Sequence, residues 1–129
     1  MIESTGARPP PGWHTVTPRI VAHDAGALVA FLLYVFEAAG KFEVASPSVI
    51  RIGDSRIMIS EAGPRNAIGA FLYVYVRDVD STYLRAMQRG ARSLEEPLDT
   101  SYGDRRCMIE DNWGNRWQIA VHGARHAAV

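Results

Sequence analysis

The sequence has few of the features that would set it apart from an ordinary globular domain. It contains one cysteine, Cys107, so no disulfide can form within the chain, which favours a reducing compartment. Its 14 Lys and Arg residues balance 14 Asp and Glu residues, which predicts no nucleic-acid or anionic-lipid partner. The longest apolar stretch, residues 25–36, is too short to span a bilayer, and no basic segment with an apolar core precedes it. We therefore expect a cytoplasmic protein without a membrane segment or a signal peptide.

Residues 69–90 carry the clearest structural pattern, which is a strand followed by a helix. From Ala70 to Val76 the side chains alternate between an aliphatic and an aromatic face, as is typical of a strand with two different surroundings. The aromatic face comprises Phe71, Tyr73 and Tyr75. A carboxylate accepts hydrogen bonds from the free amides of a first helical turn, so Asp78 or Asp80 is suited to begin the helix. Gly90 is suited to end it.

An earlier segment repeats this pattern. Asp24 lies 54 residues before Asp78 and separates an alternating strand, about Thr15 to Ala22, from an apolar stretch. That stretch predicts a helix over about Ala25 to Ala39, with Gly40 as its stop. The helix is apolar on nearly every side and must therefore be covered on more than one side. We expect a partner subunit to supply the second cover; the alternative is a helix buried within its own domain.

Each strand and helix is followed by a similar pair of strands. Residues 50–60 and 107–122 both contain a strand, a turn with Gly and Asp or Asn, and a second strand. Such internal repetition predicts two tandem modules, at about residues 15–60 and 69–122, joined by a linker over 61–68.

The remaining segments are assigned by composition. Residues 1–12 are polar and proline-rich and predict a flexible arm, and residues 123–129 predict a tail. The body between them, residues 13–122, is the size of one domain. Within it, residues 92–104 are predicted to form a loop, because they include Pro97 and a Tyr-Gly-Asp segment.

Three motifs in the second half support a resemblance to a known superfamily. Residues 76–91 read V-x-D-V-D followed by R-A-x-x-x-G-A, residues 102–105 read Y-G-D-R, and residues 111–117 read D-x-x-G-N-x-W. With the internal repeat, they make the chain resemble the vicinal oxygen chelate superfamily over about residues 15–122. That superfamily includes glyoxalase I, bleomycin-resistance proteins, extradiol dioxygenases and fosfomycin-resistance enzymes. The resemblance implies an α+β fold, two tandem βαβββ modules forming an eight-stranded open barrel around a cavity, and a homodimer.

The metal-using members of this superfamily place one ligand on each of four strands. Carried across by position, the resemblance puts these ligands at Thr17, Met58, Phe71 and Gln118. None of the four is a histidine or a carboxylate, and those are the ligands that divalent ions of this chemistry need. We therefore expect no metal and no cofactor.

The resemblance also implies which side chains line the cavity. Aromatic rings and a thioether suit a flat, conjugated or hydrophobic ligand, and the alternative is that the aromatic residues only fill the sheet. The expected lining is Thr17, Arg19, Met58, Phe71, Tyr73, Tyr75, Gln118 and His122, with Trp113 as a lid.

Two functions follow as hypotheses. The first is a metal-free binding protein of the bleomycin-resistance type that sequesters a hydrophobic or aromatic small molecule, with antibiotics among the candidates. The second is an enzyme of the same superfamily, a lyase, isomerase or dioxygenase-like protein, with an atypical metal site or metal-free acid–base catalysis. Candidate acid–base groups are Tyr73, Arg19, His122 and Glu110, but no spacing among them fixes a mechanism. A ligand-sensing role is a third, weaker hypothesis.

Overall fold

The computed structural model describes residues 8–123, and in this range two similar modules follow one another along the chain. Module 1 consists of β1 (Arg19–Ala22), α1 (Ala25–Val35), β2 (Ala39–Gly40), β3 (Ser48–Ile52) and β4 (Ser55–Glu61). Module 2 consists of β5 (Phe71–Tyr75), α2 (Val79–Gln88), β6 (Arg92–Asp99), β7 (Asp104–Glu110) and β8 (Arg116–His122). The predicted α+β fold of two tandem βαβββ modules is confirmed. Most of the predicted arm and tail lies outside the described residues.

Each module forms one four-stranded sheet. Sheet A has the strand order β1-β4-β3-β2, and sheet B has the equivalent order β5-β8-β7-β6. The first strand of each module pairs in parallel with the last, and the other neighbours are antiparallel. The named strands pair only within their own sheet, so the eight strands form an open arrangement rather than a closed barrel.

The two helices are capped differently, although both follow an aspartate. Asp78 has extended backbone, and its carboxylate accepts a hydrogen bond from the Ser81 amide at 3.1 Å, as predicted. Asp24 instead has a left-handed backbone (φ 62°) and makes no side-chain cap. The Glu61 carboxylate replaces it, because it accepts from the amides of Asp24 (3.2 Å) and Ala25 (2.9 Å). The end of β4 therefore caps the helix that precedes it in the chain.

The predicted end of α1 was wrong. The helix stops at Val35, four residues before the predicted Ala39, because Glu37 adopts a left-handed backbone (φ 53°) that a helix cannot continue through. Ala39 and Gly40 form the short strand β2, so Gly40 is not a helix stop. A Cβ at Gly40 would lie 2.4 Å from the carbonyl oxygen of Val49, so only glycine allows β2 to approach β3.

Three further boundaries differ from the sequence prediction. β1 begins at Arg19 instead of Thr15, because Pro18 has no amide to donate and lies just outside the strand. The strand predicted over Val44 to Ile52 begins only at Ser48 as β3, and the apolar residues before it are exposed in a loop. Residues 92–99 form the strand β6 instead of a loop; it pairs with β7 through two shifts of register.

One core is shared by both modules and contains the buried residues of α1. Six residues of α1 are buried, among them Phe31 and Leu32. The side of the helix away from sheet A is covered by module 2, where Trp113 packs edge-on against Phe31 and Trp117 packs against Phe36. The same chain thus supplies a cover on the second side of α1. Neither helix is long and apolar enough to cross a membrane within residues 8–123.

The D-x-x-G-N-x-W motif forms a buried hydrogen-bond cluster before β8. The Asp111 carboxylate accepts from the Trp113 amide (2.9 Å), from the Asn115 amide and side chain (2.9 and 3.0 Å) and from the Trp117 indole (2.9 Å). The Asn115 side-chain oxygen in turn accepts from the Ala70 amide at 2.9 Å. Since Asp111, Asn115 and Trp117 are all at most 5% exposed, this cluster fixes the start of β8 beside β5.

Substituting Asp111 with alanine should strongly destabilise the fold. The substitution leaves buried donors on Asn115 and Trp117 without an acceptor, and we expect the free energy of unfolding to fall by about 3 kcal/mol. Denaturant titration would measure it. Asn112→Ala, at the exposed neighbouring position, is the matched control and should change stability by less than about 0.5 kcal/mol. Equal stability of the two variants would contradict the role of the cluster.

Substituting Glu61 with glutamine should lower stability in a pH-dependent way. Hydrogen bonds from the Ala25 and Asp24 amides hold the pKa of Glu61 below its ordinary value of 4.5. A carboxylate with a lowered pKa stabilises the fold fully above its unfolded-state pKa, and this stabilisation is lost as the pH falls through the folded-state pKa. The wild type should therefore melt at a higher temperature than Glu61→Gln at pH 7, and the difference should disappear in acid. The exposed Glu96→Gln is the control; a difference independent of pH would refute the assignment.

Candidate functional site

Each sheet has one side on the shared core and one open side. In sheet B the core side carries Leu72, Val74, Trp117 and Ile119, which are buried or half-buried. The residues between them in the sequence point to the other side. We call this side the open face of sheet B. Strand register places Phe71, Tyr73 and Tyr75 on it beside Arg116, Gln118 and Ala120.

Three aromatic rings line this open face, and we call them the aromatic floor. Phe71 is 62% exposed, Tyr73 38% and Tyr75 63%, which is high for side chains of this size. The rings of Tyr73 and Tyr75 are 5.3 Å apart at an angle of 56°. Ala120 is fully buried between the strands, so the floor is not interrupted by a larger side chain there. An exposed aromatic surface of this kind is typical of a binding site.

A group of paired polar side chains borders the floor on β6 and β7. The Arg106 guanidinium donates to both carboxylate oxygens of Glu95, at 2.9 and 3.0 Å, and to the Tyr102 hydroxyl at 2.8 Å. The hydrogen bonds to Glu95 raise the pKa of Arg106, so the guanidinium stays charged. This fixed cation beside the rings can bind a polar substituent of a ligand.

A second polar group lies at the end of the floor where β7 begins and β8 ends. Asp104 and His122 are paired across these two strands, and Asp104 Oδ1 lies 2.7 Å from His122 Nδ1. Asp104 Oδ2 accepts a hydrogen bond from the Tyr73 hydroxyl at 3.2 Å. Partial burial, the bond to Asp104 and the neighbouring Tyr102 raise the pKa of Tyr73, so its phenol stays protonated. Among the predicted acid–base candidates, Tyr73 and His122 are thus joined by one carboxylate.

The open face of sheet A carries the other predicted site residues. Arg19 and Met58 are paired across β1 and β4 and point away from the core. Arg19 Nε donates to the Ser60 hydroxyl at 2.8 Å. Thr17 and Met58 line a cavity of about 240 Å³ with Trp13. The cavities lined by Arg19 and by Met58 contain no residue of sheet B, whereas a cavity of about 240 Å³ between the modules is lined by Tyr73 and Tyr75 together with Pro18 and Ile57.

The structure therefore separates the nine predicted site residues. One group shares the open face of sheet B, and a second group lies on or beside the open face of sheet A. The first group is Phe71, Tyr73, Tyr75, Gln118 and His122, and the second is Thr17, Arg19 and Met58. Trp113 belongs to neither, because it packs against Phe31 on the helix side of sheet B. It does not cover the floor as a lid.

A cleft of about 470 Å³ lies between the modules beside Tyr75. It is lined mainly by polar side chains, including Glu37, Arg77 and Arg85. Arg85 is already engaged, since its guanidinium donates to the Val35 carbonyl at 3.0 Å and to Thr82. This arginine therefore ties the end of α1 to α2, and we assign it a structural role.

The four positions that hold metal in the superfamily do not fit a divalent ion in this protein. Thr17 and Met58 lie on the sheet A side, Phe71 and Gln118 on the sheet B side, and none is an imidazole or a carboxylate. Among residues 8–123 no three His, Cys, Asp or Glu side chains lie close enough together to bind a metal ion. The metal-free state remains a prediction.

Cys107 is a core residue. It is fully buried on the helix side of β7, and burial raises the pKa of its thiol to about 12. A protonated, inaccessible thiol is no nucleophile, so we assign Cys107 no chemistry.

Sequence reasoning missed Asp104, Glu95, Tyr102 and Arg106 as site residues. Part of the signal was present, because the Y-G-D-R motif contains two of them, Tyr102 and Asp104. The alternation of β7 places Asp104 and Arg106 on one face. The sequence does not show that the strand begins at Asp104, so this shared face could not be predicted from it.

Comparison with known proteins gives the same fold and a family. Residues 3–119 match the model of the Glyoxalase/Bleomycin resistance protein/Dioxygenase superfamily. The uncharacterized protein Mb0911c of Mycobacterium bovis is 24% identical over 122 residues, covering 81% of this chain and 80% of its own. The structure of TioX from Micromonospora sp. ML1 superposes with a TM-score of 0.71 at 20% identity, over 83% of this chain and 97% of TioX.

A further similar structure is the fosfomycin resistance protein FosX from Mesorhizobium loti. It superposes with a TM-score of 0.63 at 14% identity, over 88% of this chain and 96% of FosX. At such identities the structural likeness establishes the fold alone. The match to the family model, over most of the sequence, establishes more: this chain belongs to the Glyoxalase/Bleomycin resistance protein/Dioxygenase superfamily.

Proposed function

We propose that the protein is a metal-free small-molecule-binding protein that sequesters a flat hydrophobic or aromatic ligand on the open face of sheet B. The observation that carries this proposal is the aromatic floor, in which Phe71, Tyr73 and Tyr75 stand in a row and are all exposed. Aromatic rings bind flat molecules by stacking, and Arg106 and Gln118 beside them can bind polar substituents. The cytoplasm is the expected compartment, because Cys107 is a free thiol.

We further propose that a homodimer completes the binding cavity. A floor that is open to solvent buries only one side of a ligand, whereas small-molecule sites bury most of it. The open face of sheet A offers a cover, since it carries Met58 and the cations of Arg19 and Arg51. Cations stack favourably on aromatic rings. Since the cavities lined by Arg19 and by Met58 contain no residue of the floor, we assign the cover to the open face of sheet A of a second copy.

An antibiotic is one class of ligand that this proposal includes. The FosX protein of Mesorhizobium loti, which shares the fold, is by its name a fosfomycin resistance protein. Sequestration needs affinity and no chemistry, and a nanomolar complex requires about −12 kcal/mol. The likeness in fold supports this ligand class by analogy.

Removing a ring from the floor should weaken the binding of an aromatic probe. We expect Tyr75→Ala and Tyr73→Ala each to raise the Kd of anilinonaphthalene sulfonate about tenfold, because a stacked ring contributes on the order of 1 kcal/mol beyond its buried area. Fluorescence titration measures the Kd. Tyr34→Ala is the matched control, since Tyr34 is 36% exposed on α1, away from the floor.

The same titration tests the metal-free state. Affinity for the probe should be unchanged by a chelator, and a large loss of affinity would refute a metal-free site. Equal affinity in the floor variants and in Tyr34→Ala would refute the floor.

Mixing two defective variants should restore binding if the cavity is shared between copies. Tyr73→Ala damages the floor, and Arg51→Glu damages the cover, so each homodimer should bind weakly. In a mixed dimer one cavity combines the intact floor of one chain with the intact cover of the other. Unfolding and refolding an equal mixture should therefore recover about a quarter of the wild-type sites. A homogeneous monomer in sedimentation analysis, or no recovery on mixing, would contradict the shared cavity.

A further inference from the structure

The pairing of Asp104 with His122 joins a buried carboxylate to an exposed imidazole. The Asp104 side chain is 6% exposed and the His122 side chain 79%, with 2.7 Å between Oδ1 and Nδ1. The Asp104 backbone is held as well, because Thr100 donates to its carbonyl from both amide (2.7 Å) and hydroxyl (2.9 Å) and accepts from its amide. The carboxylate is therefore a fixed group at the end of the floor.

This geometry decides which nitrogen of His122 is available to a ligand. A carboxylate beside Nδ1 accepts the proton on that nitrogen and fixes the tautomer, which leaves the lone pair on Nε2. Since the imidazole is mostly exposed, Nε2 is accessible from the open side of sheet B. Asp104 also stabilises the imidazolium that forms when Nε2 takes up a proton.

A purely structural role explains this arrangement poorly. An ion pair with a solvent-exposed partner contributes little to stability, and burying a carboxylate costs free energy. The charged and titratable groups facing the pair are few. Tyr73 on β5 binds the other Asp104 oxygen and stays protonated, and Tyr102 binds Arg106, which is paired with Glu95. His122 is the member of this group suited to accept a proton.

We propose that Asp104 and His122 form a general-base dyad that removes an acidic proton from a flat conjugated ligand on the aromatic floor. His122 is the catalytic residue and Asp104 the positioning residue. The substrate class is a conjugated molecule with a C–H activated by a neighbouring carbonyl, imine or nitro group. The proposal rests on the binding function proposed above, and it makes the protein a metal-independent acid–base catalyst.

The elimination of 5-nitrobenzisoxazole tests the dyad, because it needs only a base beside a bound aromatic ring. Nε2 takes the proton from the C–H carbon, the C–H electrons form the nitrile, and the N–O bond breaks to give a coloured cyanonitrophenolate. The imidazolium then returns its proton to water. No oxidant, reductant or metal enters the balance.

The wild-type protein should catalyse this reaction faster than free imidazole. We expect a second-order rate constant at least about a hundredfold above that of imidazole at equal pH. His122→Gln should abolish this rate enhancement, while His23→Gln, at an exposed histidine before α1, should leave it unchanged. A rate no greater than that of imidazole, or full activity in His122→Gln, would overturn the proposal.

The Asp104→Asn variant distinguishes a role of Asp104 in positioning His122 from a purely structural role. Its amide can donate to Nδ1 and so favours the tautomer with the proton on Nε2. We expect the rate to fall at least about tenfold, and nitrogen NMR should show His122 changing from the Nδ1–H to the Nε2–H tautomer. The same tautomer in both proteins would show that Asp104 does not orient the ring and would overturn the dyad.

Failure of the dyad can be told apart from failure of the floor. Tyr75→Ala should raise KM for 5-nitrobenzisoxazole with little change in kcat, because Tyr75 binds and does not react. If Tyr75→Ala raises KM but His122→Gln leaves the rate unchanged, the floor is supported as the binding surface and the dyad is refuted. The reverse pattern would refute the floor as the binding surface and leave His122 as the base.

Discussion

The buried Asp111 carboxylate is the interaction on which the second module depends. A single side chain satisfies the donors of a turn, an amide and an indole, and through Asn115 it fixes β8 against β5. A buried carboxylate is stable only when both of its oxygens accept hydrogen bonds, so losing one partner of Asp111 destabilises the whole cluster. The register it sets between β5 and β8 places Gln118 beside Tyr73 and carries His122 to the start of β7. The candidate site is a consequence of that register.

The sequence predicted the floor but not the chemistry at its end. Alternation over β5 is a local property, and it identified Phe71, Tyr73 and Tyr75 as one face. The Asp104–His122 contact depends on which residues of β7 and β8 are paired, and a shift by one residue would separate them. The end of α1 was also unpredictable from composition, because Glu37 takes a left-handed conformation that its side chain does not favour.

The packing of the two modules was the larger failure of sequence reasoning. The internal repeat correctly predicted that both modules have the same fold, but repetition does not say which face of one meets the other. Both modules bury their helix side, where Trp113 and Trp117 cover α1. Arg19 and Met58 therefore line cavities that contain none of the floor residues they were expected to face. In the proposed homodimer, the open face of sheet A of one copy covers the aromatic floor of the other.

The outer edge of each sheet limits how further chains can associate. β2 has only two residues, and β6 carries Pro97 and two shifts of register against β7. A short or irregular edge strand presents too few aligned amides and carbonyls for a foreign strand to pair with, which is how natural sheets avoid growing into aggregates. The β2 and β6 edges thus resist amyloid-like extension, while the exposed aromatic row lies on β5 at the opposite edge of sheet B.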